Sequence, residues 1–295
     1  MPRRILVAAA LLAATAAPAH AATTAATAPT HTVRVGKLRL AYRSIGNGRP
    51  VVFIQGLGGS MDGWDPTFLD KLAARGHRVI VFDNEGIGRS TTLPGTLTIR
   101  RMGDDTAGLI RALHLRRPDV AGWSMGGMIA QSFAVRHPRS LRRLVLLATA
   151  PGDGRATAPT ADALSVLTST SPDPLAVLNL LFPPDQSAAR DHYASDLALR
   201  KNLSPIAPPI VTARQLTAST TWITGRDPDG KRVARLRLPV LVGGGEADHL
   251  LPVANQRHLA KIIRGAKLVT YPDAAHAFFF QRADDFLPRL AKFLR

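Results

Sequence analysis

The stretch Ala121-Gly122-Trp123-Ser124-Met125-Gly126-Gly127 decides how this chain folds. Its centre reads G-x-S-x-G, a pattern that 24 glycines among 295 residues could produce by chance, so the flanking sequence has to carry the reading. Upstream, Asp119-Val120-Ala121 is a short strand-forming run. Downstream, small and apolar residues continue from 125 to 135 and stop before His137-Pro138. This succession predicts a strand, a tight turn at Ser124 and a helix. Ser124 then lies at the carboxyl end of a strand, where open α/β sheets bind ligands.

Working outward, the same alternation recurs. Residues 51–54, 79–82, 144–147, 240–242 and 268–271 read as strands, several of them continuous apolar runs suited to burial on both faces. Helical spacing falls at 64–75, around 97–113 and at 283–294, and residues 32–35 and 38–42 alternate about Gly36-Lys37 as a hairpin. Strands alternating with helices predict a mostly parallel central sheet with helices on both faces. Residues 151–235 break the rhythm, with helical stretches near 174–182, 185–200 and 209–223 and no convincing strand. We expect a helical cap there, inserted into a core formed by 31–150 and 236–295.

Before the core, Arg3-Arg4, an apolar run from Ile5 to about Ala14 and Ala19-His20-Ala21 read as a signal peptide over 1–21. The expected localisation is secreted or extracytoplasmic, by either the general or the twin-arginine route. Residues 22–30, rich in Ala, Thr and Pro, read as a flexible linker. The chain has no cysteine, which excludes disulfides, metal thiolates and a cysteine nucleophile. The net charge is +17, and 31 of the 38 basic residues are arginines. They are scattered singly or in pairs and aromatic residues are few, so the reading is a solvated basic surface with weak attraction to anionic surfaces, not a specific nucleic-acid site.

Acyl transfer to a serine needs an exposed Oγ, a base, a group that orients the base, and donors for the oxyanion. With Ser124 at a strand-to-helix turn, two later segments bear on the rest. One is Val240-Leu241-Val242-Gly243-Gly244-Gly245-Glu246-Ala247-Asp248-His249-Leu250-Leu251-Pro252; the other is Val269-Thr270-Tyr271-Pro272-Asp273-Ala274-Ala275-His276-Ala277-Phe278. Together with G-x-S-x-G, these resemble the α/β-hydrolase superfamily, whose acid follows the nucleophile and whose histidine comes last. The resemblance covers nearly all of the chain after the signal peptide. It implies Ser124 as nucleophile, Asp248 as acid and His276 as base. Glu246 and Asp153 remain competing acids. Gln55-Gly56-Leu57-Gly58-Gly59-Ser60, with Trp64 following, resembles the family's oxyanion loop. It implies oxyanion donors at the Leu57 and Met125 N–H groups.

Two positions depart from the family pattern. Gln55 replaces the usual histidine and keeps a donor and an acceptor to pin the loop. Glu85, in Asp83-Asn84-Glu85-Gly86-Ile87-Gly88-Arg89-Ser90, replaces an arginine and reverses a charge. Trp123, Phe182 and His249 are candidate substrate-binding residues. Leu178, Leu180, Leu181, Phe182, Ile210 and Trp222 would either roof an apolar pocket or dock the cap. There is no metal cluster or dinucleotide fingerprint in the sequence, and the resemblance implies no cofactor. A serine at the elbow argues against chemistry that uses a carboxylate nucleophile. The resemblance points to carboxylic esters of small or medium apolar character as substrates. Lactonase, thioesterase, C–C hydrolase and perhydrolase reactions share the same constellation, and a non-catalytic ligand-binding protein of this fold is the alternative of another class.

Overall fold

The computed structural model describes residues 23–169 and 173–295; the expected signal peptide lies outside them. Strands β1 (His31–Val35) and β2 (Leu38–Ile45) form the expected hairpin. They are followed by β3 (Arg49–Ile54), helix α1 (Pro66–Ala73), β4 (His77–Phe82), α2 (Ile99–Ala112), β5 (Asp119–Trp123), α3 (Met125–Arg136) and β6 (Leu144–Leu147). After the insertion come β7 (Val240–Gly245), α8 (Ala254–Ile262), β8 (Lys267–Tyr271) and two closing helices, α9 (Phe278–Gln281) and α10 (Ala283–Leu294).

The eight strands make one sheet in the order β1-β2-β4-β3-β5-β6-β7-β8. From β4 to β8 every pairing is parallel; β1 and β2 are antiparallel additions at one edge. The apolar runs explain this. In β3, Val52 and Ile54 face one core layer while Val51 and Phe53 face the other. Side chains alternate across a strand, so a run apolar at every position is stable only when helices cover both faces.

Residues 151–235 fold as α4 (Ala161–Thr168), α5 (Pro174–Leu181), α6 (Ser187–Ala198) and α7 (Pro209–Ile223), then a 3₁₀ turn at Gly230–Arg235. Helix α4 adds to the three helical stretches expected for this insertion, and its first turn is capped by Thr160 Oγ1, which accepts from the Ala163 N–H. The cap is fastened to the core by Arg200. The residue is 5% exposed, and its guanidinium donates to the carbonyls of Asp62 (2.9 Å), Ala25 (2.9 Å) and Trp64. Burial, the largest cause, pushes its pKa down to about 10 against the opposing pull of Asp62.

Residues 23–30 do not form a flexible linker. Ala25 and Ala28 are buried, the Ala25 N–H donates to Asp70 Oδ1 (2.8 Å) and the Lys201 N–H donates to the Ala26 carbonyl (3.1 Å). Small side chains that looked linker-like in sequence let this segment lie flat between α1 and the cap.

Where α6 meets α1, two carboxyls share a buried contact. Asp65 caps α1 through the Phe68 N–H (2.8 Å), and the Asp196 carboxylate lies beside it, its Oδ2 3.7 Å from His192 Nε2. Burial chiefly, and the charge of Asp196 after the opposing Phe68 N–H, push the Asp65 carboxyl up from 3.8 to about 6. An acid raised on folding stabilises the fold at low pH and loses that contribution as pH climbs through its folded value. Here the window runs from about pH 4 to about pH 6. Asp196→Asn should therefore raise the thermal midpoint at pH 7 by about 2 °C. The gap between variant and wild type should close by pH 4 in a calorimetric series; a gap independent of pH would remove Asp65 as its source.

Candidate active site

Ser124 occupies the one-residue turn between β5 and α3, at φ 58° and ψ −124°. For a non-glycine residue this is a strained backbone, held only when its surroundings over-determine it. They do so here. Its N–H donates to the Leu147 carbonyl (2.9 Å), and its carbonyl accepts from Thr149 Oγ1 (2.7 Å) and the Gly127 N–H (2.9 Å). The two glycines of the motif are steric necessities. A Cβ at Gly122 would lie 2.2 Å from the Gly126 carbonyl oxygen, and one at Gly126 would lie 2.0 Å from that of Ile54. Helix α3 thus starts directly against the ends of β3 and β5.

His276 follows β8 and Asp248 follows β7, and their loops are tied together by the Ala247 N–H on the Ala274 carbonyl (3.0 Å). Asp248 Oδ2 is 2.8 Å from His276 Nδ1, with both side chains almost wholly buried. The other carboxylate oxygen, Oδ1, accepts from the N–H groups of Leu250 (2.9 Å) and Leu251 (2.8 Å). Those two bonds fix the carboxylate plane, and the carboxylate fixes the imidazole. From the other side, Trp123 Nε1 donates to the His276 carbonyl (3.0 Å). A cluster of Trp64, Trp123, Phe279 and Phe280 packs behind this loop at ring separations of 4.2–6.1 Å. Ser124 and His276 line the same cavity.

The competing acids are engaged elsewhere. Glu246 is exposed and binds Arg257 (2.9 Å) and Thr270 (2.9 Å). Asp153 binds His258 Nε2 (2.7 Å).

The loop Gln55–Ser60 stands over Ser124, and its N–H groups divide by use. That of Gly56 donates to Gln55 Oε1 (2.8 Å), that of Gly58 to Gln215 Oε1 (2.8 Å) and that of Gly59 to the Gly56 carbonyl (3.3 Å). Among the described residues the N–H groups of Leu57 and Met125 have no partner. Gln55, the replacement for histidine, pins its own loop. Gln215 reaches it from the cap helix α7, 157 residues away, and no local feature of the sequence signals that contact. The Glu85 departure is also compensated: its buried carboxylate accepts from the Leu93 N–H (2.9 Å) and pairs with Arg101 at 2.8 Å, so the charge reversal has found a cation on α2.

The cavity has two lobes. One, of about 390 Å³, lies among Gln55, Trp123, Val166, Val177, Leu180, Leu181, Tyr193 and His276. The other, of about 350 Å³, is formed by Met125, Met128, Pro159, Leu164, Leu216, Ile223 and Leu251. Ser124, Leu57, Leu167 and Leu250 line both. Among the described residues, no Arg, Lys, Asp or Glu lines either lobe.

Of the expected substrate-binding residues, Trp123 is in the wall. Phe182 is not: α5 ends at Leu181, and Phe182 turns inward in extended conformation, wholly buried against Tyr193 at 5.3 Å. His249 is not either. The turn made by Asp248 with the next two N–H groups sends His249 to solvent and gives Leu250 the cavity position. Leu180 and Leu181 do roof the site. Leu178 and Trp222 dock the cap, the latter donating to the Ala150 carbonyl (3.2 Å), and Ile210 is 69% exposed. Among the described residues the one cluster with metal-ligating side chains, Asp65, His192 and Asp196, lies in the α1–α6 contact and lines neither lobe.

Comparison with known proteins places this geometry. A protein from Mycobacterium tuberculosis with the provisional name non-heme bromoperoxidase BpoC is 32% identical over 261 residues, 87% of this chain and 97% of its own. The structure of an alpha/beta hydrolase fold protein from Chitinophaga pinensis matches with a TM-score of 0.81 at 30% identity, covering 92% of this chain and 98% of that one. The enol-lactonase from Burkholderia xenovorans LB400 matches with a TM-score of 0.68 at 28% identity, over 90% and 99% of the two chains. Other relatives carry the names of carbamate hydrolases and of an esterase. Residues 49–283 match the model of the alpha/beta hydrolase fold family; the chain belongs to that family, with Ser124 at the elbow its fold provides.

Proposed function

We propose that the protein is an exported serine hydrolase that cleaves neutral carboxylic esters through an acyl-enzyme on Ser124. The observation that carries this reading is the buried Asp248–His276 hydrogen bond beside a strained serine, with two unpartnered backbone N–H groups flanking it. His276 Nε2 takes the proton of Ser124 Oγ as the oxygen attacks the ester carbonyl. The negative charge that develops on the carbonyl oxygen is met by the N–H groups of Leu57 and Met125. His276 then gives the proton to the departing alcohol, and water repeats the cycle to release the acid. Asp248 keeps the imidazole in the tautomer with Nδ1 protonated and stabilises its cationic form.

The two uncharged lobes meeting at Ser124 support a substrate with an apolar group on each side of the scissile bond. Without an arginine or lysine in the lining, a substrate carboxylate would be desolvated with no counter-charge, which favours neutral esters over anionic lactones or diketo acids. The charged n-region, apolar run and Ala19-His20-Ala21 of the first 21 residues support export.

A fluorophosphonate probe should label the wild type and leave Ser124→Ala unlabelled; label elsewhere would move the nucleophile. His276→Ala should lower ester turnover by about four orders of magnitude. Asp248→Asn should lose far more activity than Glu246→Gln, and the reverse order would reassign the acid. Gln215→Leu should lower kcat about tenfold with little change in KM, because the oxyanion loop loses its tie to the cap; an effect confined to KM would argue for a substrate contact instead. A series of p-nitrophenyl esters of rising chain length, run beside lactones and thioesters, measures the lobe preference. Faster turnover of an anionic ester than of its neutral counterpart would count against the neutral-substrate reading.

A further inference from the structure

The connection from α6 to α7 presents an unusual surface. From Asn202 to Ala213 twelve residues pass without a charge. Within them Leu203, Ile206 and Ile210 are 60, 94 and 69% exposed. These are not loose side chains on a wandering loop. Ser204 is held by Asp83 through its hydroxyl (3.1 Å), Val211 is buried, and Pro205, Pro208 and Pro209 stiffen the interval. The result is a fixed apolar ridge. Isolated exposed apolar residues need no explanation, but three on one stiffened, charge-free segment do.

The surroundings of the ridge are cationic. It runs along the turn after β4, where Arg89 Nη2 donates to the Leu203 carbonyl (3.4 Å). That turn in turn pairs with the β1–β2 hairpin through the Thr91 N–H on the Arg39 carbonyl (2.9 Å). Arg34, Lys37, Arg39, Arg89 and Lys201 are all exposed on these flanking segments. Across 34–39, 84–91 and 199–214 the one acidic residue is Glu85, whose side chain is wholly buried and paired with Arg101.

We propose that the 203–210 ridge is a docking surface for an anionic phospholipid membrane, with the ridge entering the headgroup layer and the flanking cations meeting lipid phosphates. Apolar side chains bordered by Lys and Arg are the chemistry of peripheral attachment. Among the described residues no helix is long and apolar enough to cross a membrane. A second copy of the chain is the poorer occupant. A two-fold contact would place this cationic rim against itself. The ridge also continues into the site: α7 begins at Pro209, its Gln215 holds the oxyanion loop, and Leu216 lines the second lobe. A docked molecule would have its apolar cavity beside the lipid from which an apolar ester partitions.

The test is co-sedimentation of the purified protein with vesicles of phosphatidylglycerol and phosphatidylcholine in equal parts, against vesicles of phosphatidylcholine alone. Wild type should partition to the anionic vesicles at least tenfold more strongly. The triple variant Leu203→Ser, Ile206→Ser, Ile210→Ser should lose at least tenfold of that binding. Its thermal midpoint and its vesicle-free p-nitrophenyl ester turnover should match the wild type, which separates lost docking from lost folding. Arg39→Gln with Arg89→Gln should weaken the preference for anionic vesicles and restore part of it at lower salt. Equal binding of wild type and triple variant would overturn the proposal. So would an absence of vesicle binding with a dimer, seen by sedimentation velocity, that the triple variant abolishes; the ridge would then be a self-association face.

Discussion

Everything at the candidate site depends on how closely the first turn of α3 approaches the ends of β3 and β5. With Gly126 pressed on the Ile54 carbonyl and Gly122 on that of Gly126, no room exists for a side chain at either position. The chain can make the turn only by putting Ser124 in a backbone region that costs about 1–3 kcal/mol. The cost is met by the bonds from Ser124 to Leu147, Thr149 and Gly127. What it secures is geometric. The serine side chain stands clear of the sheet, and the Met125 N–H, at the start of a helix, has no acceptor of its own. One steric constraint therefore supplies both the turn that carries Ser124 and, beside it, an N–H group without an acceptor.

A second unpartnered N–H group, on the loop over Ser124, is left by exclusion. The loop 56–59 has four N–H groups, and three are consumed, by Gln55, Gln215 and Gly56. The fourth, at Leu57, remains. Two of the three acceptors come from outside the loop's own backbone, and one of them comes from the cap. The cap is therefore more than a roof: α5 and α4 give the cavity its apolar walls, α7 holds the loop over Ser124, and Arg200 ties the insertion to the carbonyls of Asp62, Trp64 and Ala25. The same joint carries the Asp65–Asp196 contact, where burial and the neighbouring carboxylate hold the Asp65 carboxyl above its ordinary range.

The two departures from the family pattern are absorbed in different ways. Glutamine at position 55 can donate and accept at once, so it keeps the loop closed without a ring. Glutamate at 85 needs a cation to be buried at all. Arg101, one helical element away, supplies it, and the Leu93 N–H takes up further acceptor capacity. Charge at the surface follows another logic: the +17 total leaves many cations unopposed, and around the 203–210 ridge they stand with no exposed acid among them.

The sequence by itself determined the alternating strands and helices and the elbow, because these rest on local physics; the order of the elbow's partners came from the family resemblance. Periodicity distinguishes strands buried on two faces from amphipathic helices, and the G-x-S-x-G spacing marks the tight turn, where Gly122 meets Gly126 four residues on. The choice of Asp248 over Glu246 needed the fold. Both follow the same strand, and only the turn that spends one Asp248 oxygen on Leu250 and Leu251 shows which carboxylate faces His276. The pocket was decided by tertiary structure for the same reason. Whether Phe182, His249, Ile210 or Trp222 meets a substrate depends on how each helix end turns, and contacts such as Gln215 to Gly58 join residues 157 positions apart. Residues 23–30 make the point from the opposite side: composition suggested a loose linker, yet an alanine is small enough to be buried wherever the fold offers a groove and a donor for its carbonyl.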